Sequence, residues 1–377
     1  MSPRRLWAVI RKEIQHILRD RSTFFLVLLT PTVVLFIMAY ALTVDIQNVP
    51  ISVLDYDRSA ASRELISQIT SGDDLHLYSQ ASSLDDIENL LLHGNIKAAL
   101  IIHPNFSRDL ALMKGIELQI IIDGTEPESG GFALDHISRR IEQYATRSLS
   151  SQIESLNLTT DSLQPIDLRV RTWYNPSLKP RVALIPGLIS LVLGIPAISV
   201  ALTLAEEREH GTLEQLLASP VARVELLLGK MVPYILVGLA NVVLIPLIAI
   251  LWFKVPFNGS FLLFFGLSTI FLFAILGMGL VIGVFIPTQA AALALSFLLI
   301  FFPGFFLTGI FFPIVSMPEI IRLEALFLPG THYAIITRGV FLPGVGLQVL
   351  WPYAVMLFAL GVVFSLIATL FFRKKLA

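Results

Sequence analysis

The chain has 377 residues, 55% hydrophobic and only 15% charged, with a net charge of −1. Soluble domains carry about 25% charged residues, so this composition excludes an ordinary soluble protein and points to the membrane. There is no cysteine, which excludes disulfides, thiolate catalysis and cysteine-based metal sites.

Residues 1–21 form the first unit. Leu6, Ile10, Ile14, Ile17 and Leu18 recur on one helical face, and Arg4, Arg5, Arg11, Lys12, Arg19 and Arg21 occupy the rest. This spacing predicts a basic amphipathic helix lying in a membrane interface. Residues 22–44 carry no charge and are long enough to cross a hydrocarbon core of roughly 30 Å. Pro31 sits inside this run and should kink it. Ala39-Tyr40-Ala41 resembles a signal-peptidase site, but the apolar run is longer than a signal core. It therefore reads as an uncleaved first span with the N-terminus inside, where the Lys and Arg residues belong.

Residues 45–180 change character and hold most of the acids. Strands are predicted at 50–55, 97–103, 117–123 and 167–173. Helices are predicted at about 58–70, 84–93, 106–114 and 129–156. Alternation of this kind implies an inserted α/β domain. One span separates it from an inner N-terminus, so it is expected outside the cytoplasm. Asp55 and Asp57 beside Arg58, and Asp123 before Gly124, read as turn formers.

The remaining apolar runs are 182–204, 228–252, 260–286, 288–312 and 349–372, which with 22–44 make six spans. An even number places the Arg373-Lys374-Lys375 cluster inside, with both termini cytoplasmic. The stretch 313–346 then falls outside, where Pro313, Pro318, Pro329, Gly330, Pro343 and Gly344 break it into short helical pieces. The span interiors read as free of Asp, Glu, His, Lys and Arg, with Asn241 and Gln289 as the main polar side chains. Spans without ionisable groups argue against a proton-coupled transporter or an intramembrane protease. Gly187, Gly194, Gly277, Gly279 and Gly283 suit close helix packing. The seven histidines are scattered, and no phosphate-cradling glycine loop is present, so no metal, cofactor or catalytic residue is assigned to the chain.

The loop after the second span is anomalous. It runs Glu206-Glu207-Arg208-Glu209-His210-Gly211-Thr212-Leu213-Glu214-Gln215-Leu216-Leu217-Ala218-Ser219-Pro220, acidic where a short cytoplasmic loop should be basic. A solvated connection between two spans is the bland alternative to a docking site for a soluble partner. The string resembles the cytoplasmic motif of type-2 ABC transporter permeases. More narrowly, the chain resembles bacterial efflux permeases with one large extracytoplasmic domain between the first and second spans. Arg171-Thr172-Trp173-Tyr174-Asn175-Pro176, Pro329-Gly330-Thr331-His332-Tyr333 and Arg338-Gly339 add to the likeness, which covers essentially the whole chain.

The resemblance implies a multi-pass α-helical membrane protein of the bacterial inner membrane. It has six transmembrane helices and an inserted extracytoplasmic α/β domain, and it is the permease subunit of an ATP-driven exporter. ATP and Mg would be held by a separate cytoplasmic ATPase. The implied coupling helix is 206–219, with Leu213, Leu216 and Leu217 as an apolar docking face. Glu207, Arg208, Glu209 and Glu214 form its polar rim, Gly211 lets the backbone break or approach closely, and Thr212 is a further docking residue. A second permease subunit, identical or a related paralogue, completes the transporter, and the outer domain leaves room for a periplasmic adaptor protein. Apolar walls favour a hydrophobic or amphipathic substrate, drug or lipid-like. The alternative is a membrane-anchored sensor or assembly protein whose outer domain binds a ligand or adaptor. A sensor needs only one or two spans, and six weigh against it.

Overall fold

The computed structural model describes residues 2–42, 48–112, 114, 116–155, 174–175, 179–212 and 221–372. The chain divides into two units, Asp45–Val170 and the remainder. The predicted strand at 167–173 lies outside the described residues.

The inserted unit holds a four-stranded sheet in the order β2-β1-β3-β4. Its strands are β1 (Val49–Asp55), β2 (Leu75–Gln80), β3 (Ala98–Ile102) and β4 (Leu118–Ile122). β1 runs parallel to β2 and to β3, and β4 is antiparallel to β3. Every residue of β3 is buried, because helices cover both faces of a strand in the middle of the sheet. One face packs Ile51, Val53, Leu100 and Ile102 against Leu65 and Ile69 of the helix Ala60–Ile69 and Ile137 of the helix Pro127–Ser155. The other face packs Leu54, Ala99 and Ile101 against Ile87 of the helix Leu84–Leu92. Asp55 accepts hydrogen bonds from the Asp57 and Arg58 amides and the Ser62 hydroxyl, closing the turn after β1. Burial pushes the Asp57 carboxyl up, but hydrogen bonds from Ser59 and Ser107 outweigh this and hold it below the ordinary range.

The other unit is helical. Six helices among the described residues are long and apolar enough to cross a membrane: Phe25–Leu42, Pro180–Glu209, Arg223–Leu251, Phe261–Phe285, Gln289–Phe306 and Leu347–Phe371. They are called the first to sixth spans below. Between the last two lie a short 3-10 turn, Ile314–Ser316, and two helices, Glu319–Phe327 and Pro329–Phe341. One contiguous apolar core joins residues of all six spans.

The second and fourth spans cross with almost no side chain between them. A Cβ added at Gly279 would lie 2.2 Å from the Ala197 carbonyl oxygen, and one at Gly283 would lie 3.0 Å from that of Ala201. Both pairs are spaced i, i+4, so two small residues on each helix let the backbones meet over a full turn. The first span departs from a simple kink. Pro31 has no N–H to give the Val27 carbonyl, its i−4 acceptor. The helix widens into a π turn over Phe25–Leu29. Asn241 of the third span supplies the missing donor, its Nδ2 lying 2.8 Å from the Val27 oxygen in a buried position.

The second and third spans extend beyond the apolar runs that mark them in the sequence. The helices reach Glu209 and start at Arg223, taking in charged residues at both ends.

Candidate functional site at the end of the second span

The motif residues Glu206–Glu209 are the last turn of the second-span helix. Of the segment 206–219 expected as a coupling helix, these four residues continue the second span, and 213–219 lie outside the described residues. The helix continues because its inward-facing charges meet partners. Thr203 and Glu207, one turn apart, face Tyr234 and Lys230, one turn apart on the third span. The Thr203 and Tyr234 hydroxyls lie 2.6 Å apart, and the Lys230 ammonium lies 2.8 Å from a Glu207 carboxylate oxygen.

Lys230 also donates to Glu13 of the N-terminal helix Pro3–Arg19, at 2.9 Å. Lys12 closes the cluster, pairing with Glu207 and lying 3.1 Å from Glu13. Two carboxylates and two ammonium groups thus meet from three elements. Lys230 is 1% exposed and Glu13 fully buried. A buried charge is tolerated only when paired, and here the charges sum to zero. Burial pushes the Glu13 carboxyl up, but Lys230 and Lys12 outweigh it and hold the group below the ordinary carboxylate range.

The N-terminal helix is seated by shape as well as charge. At Gly229 of the third span an added Cβ would come within 2.6 Å of Val9. The Ser2 amide donates to Glu225 at 2.5 Å, and Glu225 also accepts from the Ala222 amide at the start of the third span.

The outer side of the same turn is engaged too. Arg208 donates to the Val284 carbonyl near the end of the fourth span, at 3.0 Å. Glu209 accepts from the Gln289 amide at the start of the fifth span, at 3.0 Å. The last turn of the second span therefore touches the N-terminal helix and the third, fourth and fifth spans. Beyond it the chain breaks. Gly211 has φ +71°, a left-handed conformation that favours glycine, and the Thr212 hydroxyl folds back on the Glu207 carbonyl at 3.2 Å.

Of the residues expected to form the docking surface, Glu207, Arg208, Glu209, Gly211 and Thr212 are brought together here. Glu207 is buried in the ion-pair cluster, and the half-buried Arg208 donates to the fourth span. Leu213, Glu214, Leu216 and Leu217 lie outside the described residues. The reading of the spans as free of charge is also corrected, since Lys230 is buried within the third. Glu13 and Lys230 are the residues that sequence reasoning missed. Their signal was present: Glu13 falls between Ile10 and Ile17 on the apolar face of its helix, and Lys230 stands alone inside an apolar run.

Among the described residues no group of three His, Asp or Glu side chains could hold a metal ion. The geometry is that of a multi-pass membrane protein whose second span is clamped at one end to four neighbours. The chain matches the family described as ABC-2 family transporter protein over residues 21–370, and it belongs to that family. It is 29% identical over 350 residues to the probable multidrug ABC transporter permease YbhS of Escherichia coli K12, covering 91% of this chain and 90% of that one. It is 28% identical over 374 residues to YbhR of the same organism, also named a probable multidrug ABC transporter permease, covering 98% and 99%. It is 27% identical over 377 residues to the inner membrane transport permease YhhJ, covering 97% and 96%. The protein is a transport subunit, the permease of an ABC transporter, and this family membership implies a partner ATPase subunit.

Proposed function

We propose that this permease exports a hydrophobic or amphipathic substrate and is driven by a cytoplasmic ATPase that docks on the segment following Gly211. In this reading both termini and residues 206–220 are cytoplasmic, the α/β unit is extracytoplasmic, and the membrane is a bacterial inner membrane. A second copy or a related paralogue completes the pathway. ATP and Mg belong to the partner, and this chain carries no catalytic group.

The observation that carries the reading is the clamp at the end of the second span. A partner docked just past the Gly211 break acts on a helix end that is already tied to the N-terminal helix and three further spans. Glu209, which accepts from the Gln289 amide 80 residues away in sequence, is the last link before the break. The apolar span walls favour an apolar cargo, in keeping with the naming of two relatives as probable multidrug permeases.

Co-purification tests the proposal. Wild-type protein drawn from its native membrane should bring down an ATP-hydrolysing subunit. Gly211→Leu, which forces a side chain onto a left-handed backbone, should leave the permease in the membrane while lowering the ATPase activity recovered with it. Glu214→Arg should do the same through charge reversal. A wild-type permease isolated alone with undiminished transport would overturn the reading.

A further inference from the structure

An open apolar groove of about 330 Å³ runs between the N-terminal helix and the first and third spans, lined in part by Ile14, Leu18, Leu28, Leu236, Val237 and Ala240. No part of this chain fills it among the described residues. On the N-terminal helix Ile14 and Leu18 belong to a stripe at helical spacing that also contains Arg4, Trp7 and Arg11. Leu18 is 66% exposed and Trp7 62%, and Arg4 and Arg11 are exposed as well. Neither arginine enters an ion pair among the described residues, whereas Lys12, one position on, is taken by the buried cluster.

The stripe therefore changes from cationic to apolar along one helix face and continues into an apolar trough. A tryptophan, whose ring suits the membrane interface, stands between the two arginines. A ligand fitting this layout has an anionic head joined to a long hydrocarbon tail. We propose that the groove is a binding site for one anionic phospholipid, with its phosphate-bearing headgroup on Arg4 and Arg11 and an acyl chain along Leu18, Leu236 and Ala240. A zwitterionic lipid would fill the groove but gain little from the arginines. The lipid would also cover the seam where the N-terminal helix meets the third span, next to the Glu13–Lys230 pair. The inference rests on the membrane reading of the N-terminal helix and is independent of the ATPase docking proposed above.

Full-length protein in detergent, titrated with phosphatidylglycerol or phosphatidylcholine and read by native mass spectrometry, tests the site. Phosphatidylglycerol should be retained at least tenfold more tightly. Arg4→Gln and Arg11→Gln should each weaken it by about fivefold, since one basic residue near an anionic surface is worth about 1 kcal/mol, and should leave phosphatidylcholine unchanged. Both positions are exposed, so the variants should fold. Ala240→Trp, which fills the exposed trough, should weaken phosphatidylglycerol with both arginines in place. Equal retention of the two lipids, or arginine variants that bind like wild type, would overturn the proposal. So would Leu236→Cys forming an intermolecular disulfide in membranes, which would make a second copy of the chain the occupant.

Discussion

Substituting Lys230 by methionine is the sharpest test of the buried cluster. The change preserves most of the side-chain volume but removes the ammonium group that lies 2.9 Å from Glu13 and 2.8 Å from Glu207. Breaking a buried pair by deleting one partner costs ~3–5 kcal/mol, because the other charge is left uncompensated. Lys12 remains beside both carboxylates, but its side chain is 45% exposed and weakly confined, so the lower end, about 3 kcal/mol, is expected. At ~2–4 °C per kcal/mol for a unit of this size, the apparent unfolding midpoint should fall by about 6–12 °C. Thermal unfolding in detergent is read as a rate-dependent midpoint, so variants are compared at one scan rate.

Two controls separate charge from packing. Adding Glu13→Gln to Lys230→Met leaves Lys12 opposite Glu207 and a neutral cluster, so the double variant should recover at least half of the loss. The pH dependence should also change sign. In the wild type Glu13 is held below the ordinary carboxylate range, so its contribution is present above that range and disappears only as pH falls through the lowered value. Without Lys230, burial dominates and protonation of Glu13 is favoured. Acidification from pH 7.5 to 5.5 should therefore raise the midpoint of Lys230→Met and not that of the wild type. A fall of less than about 2 °C, or a double variant no better than the single, would refute the reasoning.

Asn241→Val should cost ~1–3 kcal/mol by stranding the buried Val27 carbonyl. Pro31→Ala, which restores a backbone N–H to that carbonyl, should cancel most of the loss; if the unfolding midpoint of the pair matches that of Asn241→Val alone, the borrowed hydrogen bond is not what holds the π turn. Orientation is open to labelling, since the chain has no cysteine of its own. Leu92→Cys, at a side chain 75% exposed on the inserted unit, should react with an impermeant maleimide from outside intact cells. Thr212→Cys should react only after permeabilisation, and the reverse pattern would invert the topology.

Much of this fold was legible in the sequence because bilayer thickness and strand–helix alternation leave strong patterns. The six apolar runs overlay the six spans, and β1, β3 and β4 stand where short apolar runs predict them. β2 was missed. Its sequence, Leu75-His76-Leu77-Tyr78-Ser79-Gln80, alternates between buried and exposed at the sheet edge, a period-2 pattern weakened by having only two aliphatic residues, and pairing with β1 completes it. The ends of the second and third spans were missed for a different reason. Hydropathy stops at the first charge, whereas the helices continue wherever a charge finds a partner. Glu207 finds Lys230, so the helix outruns its apolar segment, and the motif that reads as a loop is partly a helix end. Pairing of residues 217 positions apart, as for Glu13 and Lys230, leaves no local pattern beyond one misplaced charge on each helix.

The position of the glycines links this helix end to the rest of the membrane unit. Ala197 and Ala201 of the second span press against Gly279 and Gly283 of the fourth, two and three turns before the charged terminus. Helices in contact through backbone atoms cannot slide past one another without opening voids, since packed interfaces move between discrete arrangements. A displacement of Glu209 must then either break its bond to Gln289 and the Arg208–Val284 bond together, or carry the fourth and fifth spans with it. The ion-pair cluster makes the same demand on the N-terminal helix and the third span. At Gly211 the backbone turns left-handed, and among the described residues no atom lies within 4 Å of an added Cβ. This turn falls where the acidic motif leaves the second span, so a partner docked past Gly211, as proposed above, would act on all four neighbours at once.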